Sequence, residues 1–183
     1  MSTIRRFRAM DMFNFGSVNL DRYTETYDLS FYLSYLSSWP DLFNIAVSAD
    51  DTMMGYIMFK VEGEEREKEW HGHVTALTVA PECRRLGLGR GLMQVLEDAS
   101  EKIHNCYFVD LFVRPSNKVA IAMYEGMGYI VYREVIDYYM TDGIMPTESA
   151  FDMRKALARD VHKKSVVPLK RPITVDELFN PRR

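Results

Sequence analysis

Apolar positions recur as Leu88, Leu92, Val95, Leu96, Ala99 and Ile103, one stripe at helical spacing. Just before it, Trp70 to Val79 reads as a strand. Tyr107 to Val113 is nearly all apolar, as expected of a central strand covered on both faces. Asp110 interrupts that run, and an acid there needs a partner. Val119, Ala120, Met123, Tyr124 and Met127 give a second helical stripe that Gly128 ends. Tyr129 to Tyr139 and Phe151 to Leu157 then predict two further strands around a loop, Thr141 to Ser149.

The first half follows the same logic. Ile4 to Arg8 predicts a short edge strand, and Met10, Phe13, Val18 and Leu20 a helix with Asp11 in its first turn. Leu20 to Tyr27 has no period and reads as a loop. Phe31, Tyr32, Tyr35 and Leu36 form a helical face that stops at Trp39-Pro40, because the residue before proline avoids the helical region. Ile45-Ala46-Val47 and Met53 to Val61 flank Asp50-Asp51 as a hairpin, with Gly63 to Lys68 a charged connection beyond it. The order βααβββαβαββ implies a mixed α/β sheet, with a ligand expected where central strands diverge. One domain is expected over residues 1–157. A C-terminal extension, 158–183, is expected to be disordered or partner-bound: Lys163-Lys164, Pro168, Pro172, Pro181 and Arg182-Arg183 outweigh its apolar residues, Val166-Val167 and Ile173 to Phe179 among them.

Composition changes this little. The chain has 183 residues, 47% hydrophobic and 27% charged, and its net charge of −3 gives no reason to expect nucleic acid as a partner. Cys83 and Cys106 lack metal spacing, so no metal is expected and both are read as reduced thiols. The start, Met1 to Arg6, lacks a signal-peptide core, and no apolar run reaches the ~20 residues of a membrane span. A cytoplasmic protein with no membrane contact is expected.

The chemistry concentrates at Arg84-Arg85-Leu86-Gly87-Leu88-Gly89. Two glycines between a strand and a helix let the backbone approach a ligand closely, and the helix start presents free N–H groups to an anion such as a pyrophosphate. Arg84 and Arg85 add charge that can fork onto phosphate oxygens. A basic turn that merely caps the helix would carry the same residues.

The Arg-x-x-Gly-x-Gly loop, followed by Asn117, Ala120, Tyr124 and Gly128-Tyr129, resembles the GCN5-related N-acetyltransferase (GNAT) family over about residues 4–157. Within that family the closer resemblance is to catalytic subunits of N-terminal acetyltransferase B (NatB) complexes. It rests on Leu20-Asp21, Thr24 to Tyr27, Glu69 to Leu77, Asp110 to Arg114 and Asp137-Tyr138-Tyr139, and extends weakly to Lys163-Lys164-Ser165 and Pro168-Leu169.

The resemblance implies a GNAT fold, a mixed central sheet of about seven strands flanked by about four helices. It implies acetyl-CoA as cosubstrate, held by Leu77, Thr78, Val79, the loop from Arg84 to Gly89, Asn117 and Tyr124. Tyr124 then protonates the departing thiolate. Without the resemblance it also reads as a core tyrosine on the helix stripe, and Asn117 as a helix N-cap. Glu25 and His73, with waters, are the proton acceptors, although His73 also reads as an ordinary strand histidine and His71 as a structural one. An α-amino group has a pKa of ~7.7–8.0, so a strong base is less needed than for lysine. Tyr27, with Leu20, is assigned to a methionine pocket, Tyr138 and Tyr139 to the peptide backbone, and Glu25, His73, Thr75 and Ala76 to the groove, of which the loop of Glu25 forms one wall.

The implied reaction is acetylation of a starting methionine followed by Asp, Glu, Asn or Gln. The implied partners are a large helical-repeat auxiliary subunit, nascent N-termini and, through that subunit, the ribosome. The surface expected to meet the subunit is the first helices, with Phe31, Tyr32, Tyr35 and Trp39, together with the apolar tail. Another N-terminal or lysine acetyltransferase class, or a CoA-binding module without catalysis, shares the same loop.

Overall fold

The computed structural model describes residues 2–141, 143 and 145–180. Met1, two positions of the 141–149 loop (Asp142 and Ile144), and Pro181, Arg182 and Arg183 of the tail lie outside the described residues. The chain divides into two compact units, Met1–Val61 with Gly72–His104 and Glu62–His71 with Asn105–Arg183. None of the described helices is long and apolar enough to cross a membrane.

In the first unit β1 (Thr3–Arg6), β2 (Phe43–Val47), β3 (Met53–Glu62) and β4 (His71–Val79) follow one another in sheet order. β1 pairs antiparallel with β2, Thr3 opposite Val47, and β2 pairs antiparallel with β3. The β2–β3 turn closes as expected, with Asp51 in the left-handed region at φ 62°. Every residue of β2 is buried. α1 (Leu29–Ser38) starts where Asp28 accepts the Phe31 N–H at 2.8 Å, and ends at Trp39, directly before Pro40. α2 (Leu88–Asp98) buries Leu88, Leu92 and Leu96 along the expected stripe. One π turn, Ala99–Ile103, extends it and leaves Ile103 exposed.

Two expectations fail here. Residues 9–20 form two short 3-10 turns, Ala9–Phe13 and Gly16–Leu20, and no α-helix. Gly16 at φ 51° breaks the run. Of the supposed buried stripe only Val18 is inside, while Met10, Phe13 and Leu20 are 70, 73 and 79% exposed. Tyr32 and Tyr35 do not face outward either. They are buried in an aromatic core with Phe7, Phe43 and Tyr56, in which Phe7 and Phe43 stack at 3.8 Å. The outward positions of α1 are instead Leu29 and Leu33.

In the second unit β5 (Phe108–Val113), β6 (Ile130–Tyr139), β7 (Glu148–Ala156) and β8 (Ile173–Thr174) lie in the order β5-β7-β6-β8. β7 is antiparallel to both neighbours and β8 is parallel to β6, so the sheet is mixed. α3 (Lys118–Glu125) connects β5 to β6, and α4 (Val175–Phe179) follows β8. The glycine end of α3 is a Schellman closure: Gly128 takes φ 92°, its N–H bonds Glu125 O, and the Tyr129 N–H bonds Tyr124 O, both at 3.0 Å. Asp110 has its partner in His71, Oδ2 to Nε2 at 3.5 Å, and His71 also stacks on Phe108. Fully buried Asp152 lies between Arg133 at 2.7 Å and Arg154 at 3.2 Å. Among the described residues, eight strands and four α-helices compare with the expected seven and four, β8 being the added strand and α4 standing in number for the helix expected at 10–20.

Arg5 forks onto Asp11 at 2.8 and 2.9 Å, and the Arg8 N–H adds 2.7 Å to the same carboxylate. Burial pushes the Asp11 carboxyl up, but these donors outweigh it and hold it below the ordinary carboxylate value. Such a group contributes stability above its unfolded pKa of ~3.9 and loses it as pH falls through the folded value. Arg5→Met is expected to lower stability by about 2 kcal/mol at pH 7. In denaturant titrations that gap closes below about pH 4. A gap independent of pH would mean that Arg5 acts by packing alone.

Candidate active site

The glycine loop leaves β4 through a 3-10 turn, Pro81–Cys83, and enters α2 at Gly87. Gly87 takes φ 82°, and nothing lies within 4 Å of where a Cβ would stand. Glycine is needed there for backbone angle, not for room. No side chain caps α2, and its first internal bond is the Gly91 N–H to Gly87 O at 3.0 Å. The Leu88 and Gly89 amides therefore precede the hydrogen-bonded ladder and stand at the positive end of the helix dipole. Arg85 and Leu86 are exposed beside them. This backbone fits a pyrophosphate.

Arg84 is placed differently from the expectation. Its Nε donates to Val79 O at 3.2 Å and its Nη2 to Asp21 Oδ2 at 2.5 Å, so its charge is spent within the protein. Thr78 is likewise occupied: its buried hydroxyl donates to Val18 O at 3.0 Å and meets Thr24 Oγ1 at 2.9 Å. Asp21 also receives the Tyr23 N–H at 2.9 Å. Asp21 and Thr24, quoted above only for their resemblance, thus tie the 20–28 loop to β4 and to the root of the glycine loop. Leu77 and Val79 are half-buried on the same strand.

In that loop Glu25 is exposed and Tyr27 half-buried, its ring stacked on Phe31 at 4.2 Å and edge-on to Tyr32 at 5.9 Å. Leu20 is exposed. His73, Thr75 and Ala76 are half-buried on β4, and the Thr75 hydroxyl bonds the Tyr35 hydroxyl at 2.5 Å. Ala76 packs on the aromatic core.

In the second unit Asn117 caps α3, its Oδ1 accepting the Ala120 N–H at 3.2 Å. The capping role uses the carbonyl and leaves the side-chain NH₂ for a ligand. Tyr124, one turn before the Schellman closure, is buried with its ring 5.8 Å from Tyr129. Burial pushes its phenol well above the ordinary tyrosine value, so it stays protonated throughout the neutral range. Tyr138 stacks on Phe112 at 4.6 Å, and Tyr139 lies edge-on to Tyr138 at 5.0 Å with the Arg114 guanidinium 4.3 Å above its ring. Arg114 also donates to Pro146 O at 3.3 Å and lies 3.7 Å from Glu148, which accepts the Ser116 N–H and hydroxyl.

Two contributions go beyond the sequence reading: that of Asp137, quoted above only for its resemblance, and that of Gly55. Asp137 takes φ 51° where the β6–β7 register shifts between Val135 and Tyr139, a bulge that re-aims both tyrosines. Gly55, inside β3, brings that strand so close to β4 that an added Cβ would lie 2.6 Å from Thr78 O and 3.2 Å from Val79 Cα. A glycine inside a strand pattern signals such an approach.

The family model described as acetyltransferase (GNAT) family matches residues 10–129. The chain belongs to the GNAT acetyltransferase family. It is 58% identical over 178 residues to the N-terminal acetyltransferase B complex catalytic subunit NAA20 of Arabidopsis thaliana, covering 97% of this chain and 98% of that one. Among solved structures it resembles Naa20 of Chaetomium thermophilum in complex with a bisubstrate analogue, with TM-score 0.87, 44% identity, and coverage of 94% and 96%. It also resembles the NatB acetyltransferase complex bound to CoA and MES, with TM-score 0.75, 40% identity, and coverage of 85% and 99%.

Gly55→Ala is expected to force the Thr78–Val79 backbone away from β3, costing on the order of 1–3 kcal/mol. Thermal unfolding will show a lower Tm, and steady-state kinetics a raised KM for acetyl-CoA. Wild-type values of both would mean the strands have slack to absorb a methyl group.

Proposed function

We propose that the chain is the catalytic subunit of a NatB-type complex. It transfers acetyl from acetyl-CoA to the α-amine of polypeptides that begin with methionine followed by Asp, Glu, Asn or Gln. The observation that carries this reading is 58% identity to a NatB catalytic subunit across nearly the whole of both chains. The bonds that Asp21 and Thr24 make to Arg84 and Thr78 support it, because they give the residues of the closer resemblance a physical task.

Acetyl-CoA supplies an activated acyl group on a thiol that leaves. The Leu88 and Gly89 amides at the start of α2 take its pyrophosphate. Backbone N–H groups of Leu77 to Val79 hold the pantetheine arm and polarise the thioester carbonyl, and donors fixed in advance for a developing oxyanion are usually the largest catalytic contribution. Asn117 bonds the arm with its free NH₂. As the amine nitrogen bonds to the carbonyl carbon and the carbon–sulfur bond breaks, Tyr124 gives its phenolic proton to sulfur. The proton lost by the amine passes through water to Glu25 or His73. Tyr27 lines the methionine pocket, and Tyr138 and Tyr139 hold the peptide backbone. His73, Thr75 and Ala76 meet the second residue. A pocket that hydrogen-bonds a polar side chain rejects an apolar one because its own groups are left unpaired.

The auxiliary subunit is the partner such a chain needs. The exposed Met10, Phe13, Leu29 and Leu33 of the first unit are the apolar side chains it has to cover. Through it the enzyme works in the cytoplasm on chains leaving the ribosome.

The test is CoA release by the assembled complex on peptides starting Met-Asp, Met-Leu and Ser-Glu, with an internal-lysine control. Met-Asp is expected to exceed the others by at least a hundredfold in kcat/KM. Tyr124→Phe is expected to lower kcat on Met-Asp by about 10²-fold while CoA binding stays unchanged. Equal turnover of Met-Leu and Met-Asp would overturn the substrate assignment, and unchanged kcat in Tyr124→Phe would remove that residue from the chemistry.

A further inference from the structure

The chain beyond Leu157 is folded against the second unit as far as Asn180, and the place where it lands carries a consequence for the peptide-binding tyrosines. The Leu169 N–H bonds Tyr132 O at 2.8 Å, and β8 then runs parallel to β6 with Ile173 opposite Val135 and Thr174 opposite Ile136. That pairing stops one residue before Asp137, where the bulge begins. β8 thus covers the outer edge of β6 up to the point at which β6 turns out of register to present Tyr138 and Tyr139.

Neither piece is stable by itself. β8 has two residues and α4 five, far below the length at which an isolated helix holds in water. They are held by a local cap and by burial. Thr174 and Glu177 form a reciprocal capping box, Thr174 Oγ1 accepting the Glu177 N–H at 3.2 Å and Glu177 the Thr174 N–H at 2.9 Å, and Arg171 pairs with Glu177 at 2.9 Å. Ile173 is buried with Val135 and Ala150. Against this trio pack Phe112, Tyr138 and Tyr139 from the sheet and Val175 and Leu178 from α4.

We propose that residues 169–178 are a positioning strap for substrate binding: Ile173 and Leu178 close the small apolar cluster on which Tyr138 and Tyr139 rest and so fix the bulged end of β6. The strap touches no reacting atom, and it sets peptide affinity, not the chemical step. This rests on the reading above that the two tyrosines hold the peptide backbone.

The experiment uses the full chain assembled with its auxiliary subunit, a Met-Asp peptide and acetyl-CoA, with Leu178→Ser as the main variant. Leu178 is half-buried, whereas its neighbour Phe179 is 69% exposed, so Phe179→Ser controls for changes to the helix itself. Leu178→Ser is expected to raise the peptide KM by roughly fivefold or more with kcat and the acetyl-CoA KM unchanged, the signature of lost uniform binding. Leu178→Met should restore it, and Phe179→Ser should match wild type. Should Leu178→Ser lower Tm so far that kinetics fail, hydrogen exchange of the wild type and of Leu178→Met decides. Protection of the 135–139 amides that follows the 173–178 amides supports the strap, and protection independent of them overturns it.

A Tyr139→Ala arm separates the two levels. If Tyr139→Ala raises the peptide KM and Leu178→Ser does not, the strap is wrong. If neither does, the assignment of the tyrosines falls, and the strap falls with it.

Discussion

The buried hydroxyl of Thr78 is the contact on which the first unit's share of the site depends. It sits on the strand assigned to the thioester, yet it points to the other side of the work, donating to Val18 O and meeting Thr24 Oγ1. Beside it Arg84, at the root of the glycine loop, reaches Asp21. Two stretches distant in sequence are thereby fixed to each other: residues 18–28, and the run from β4 into the start of α2. A hydroxyl that leaves a carbonyl stranded when removed constrains more than a nonpolar contact of equal size, because the stranded group must find another partner or stay unsatisfied. The loop proposed to wall the peptide groove and the proposed pyrophosphate cradle are in this sense one piece.

In the second unit the same task falls to charge and stacking. Arg114 lies over the Tyr139 ring while it bonds Pro146 O and approaches Glu148, and Glu148 is itself held by Ser116. The Asp137 bulge needs a residue that tolerates positive φ, and aspartate is among the few non-glycine residues that do. Both units follow one arrangement. In each, polar side chains spend their hydrogen bonds on holding aromatic rings and main chain in position.

What the sequence made legible follows from how local each signal is. α2 could be read because its apolar period is long and glycines mark its start, and the central strand because its apolar run is almost unbroken. The end of α3 could be read at Gly128, since a Schellman closure wants glycine at the left-handed position. The stretch from Met10 to Leu20 misled because its apolar spacing is helical, while Gly16 breaks the run and, of that stripe, only Val18 reaches the core. Tyr32 and Tyr35 misled in the opposite direction: their helical face was expected to meet a partner, and it is buried instead, with the hydroxyls bonding Tyr56 and Thr75 within the unit. The capping box Thr174-x-x-Glu177 and the strand glycine Gly55 were present as local signals and overlooked. The partners of Arg84, Asp21 and Arg114 had no local signal, because each bond spans elements that only the fold brings together.

The most direct measurement is the pair of Michaelis constants, for acetyl-CoA and for a Met-Asp peptide, in Thr78→Val assembled with its auxiliary subunit. Valine keeps the volume of threonine and removes both hydroxyl bonds. If the loop and the cradle are one piece, both constants rise together, each by roughly threefold to tenfold, while the complex stays folded. A rise in one constant alone, or in neither, would contradict the account.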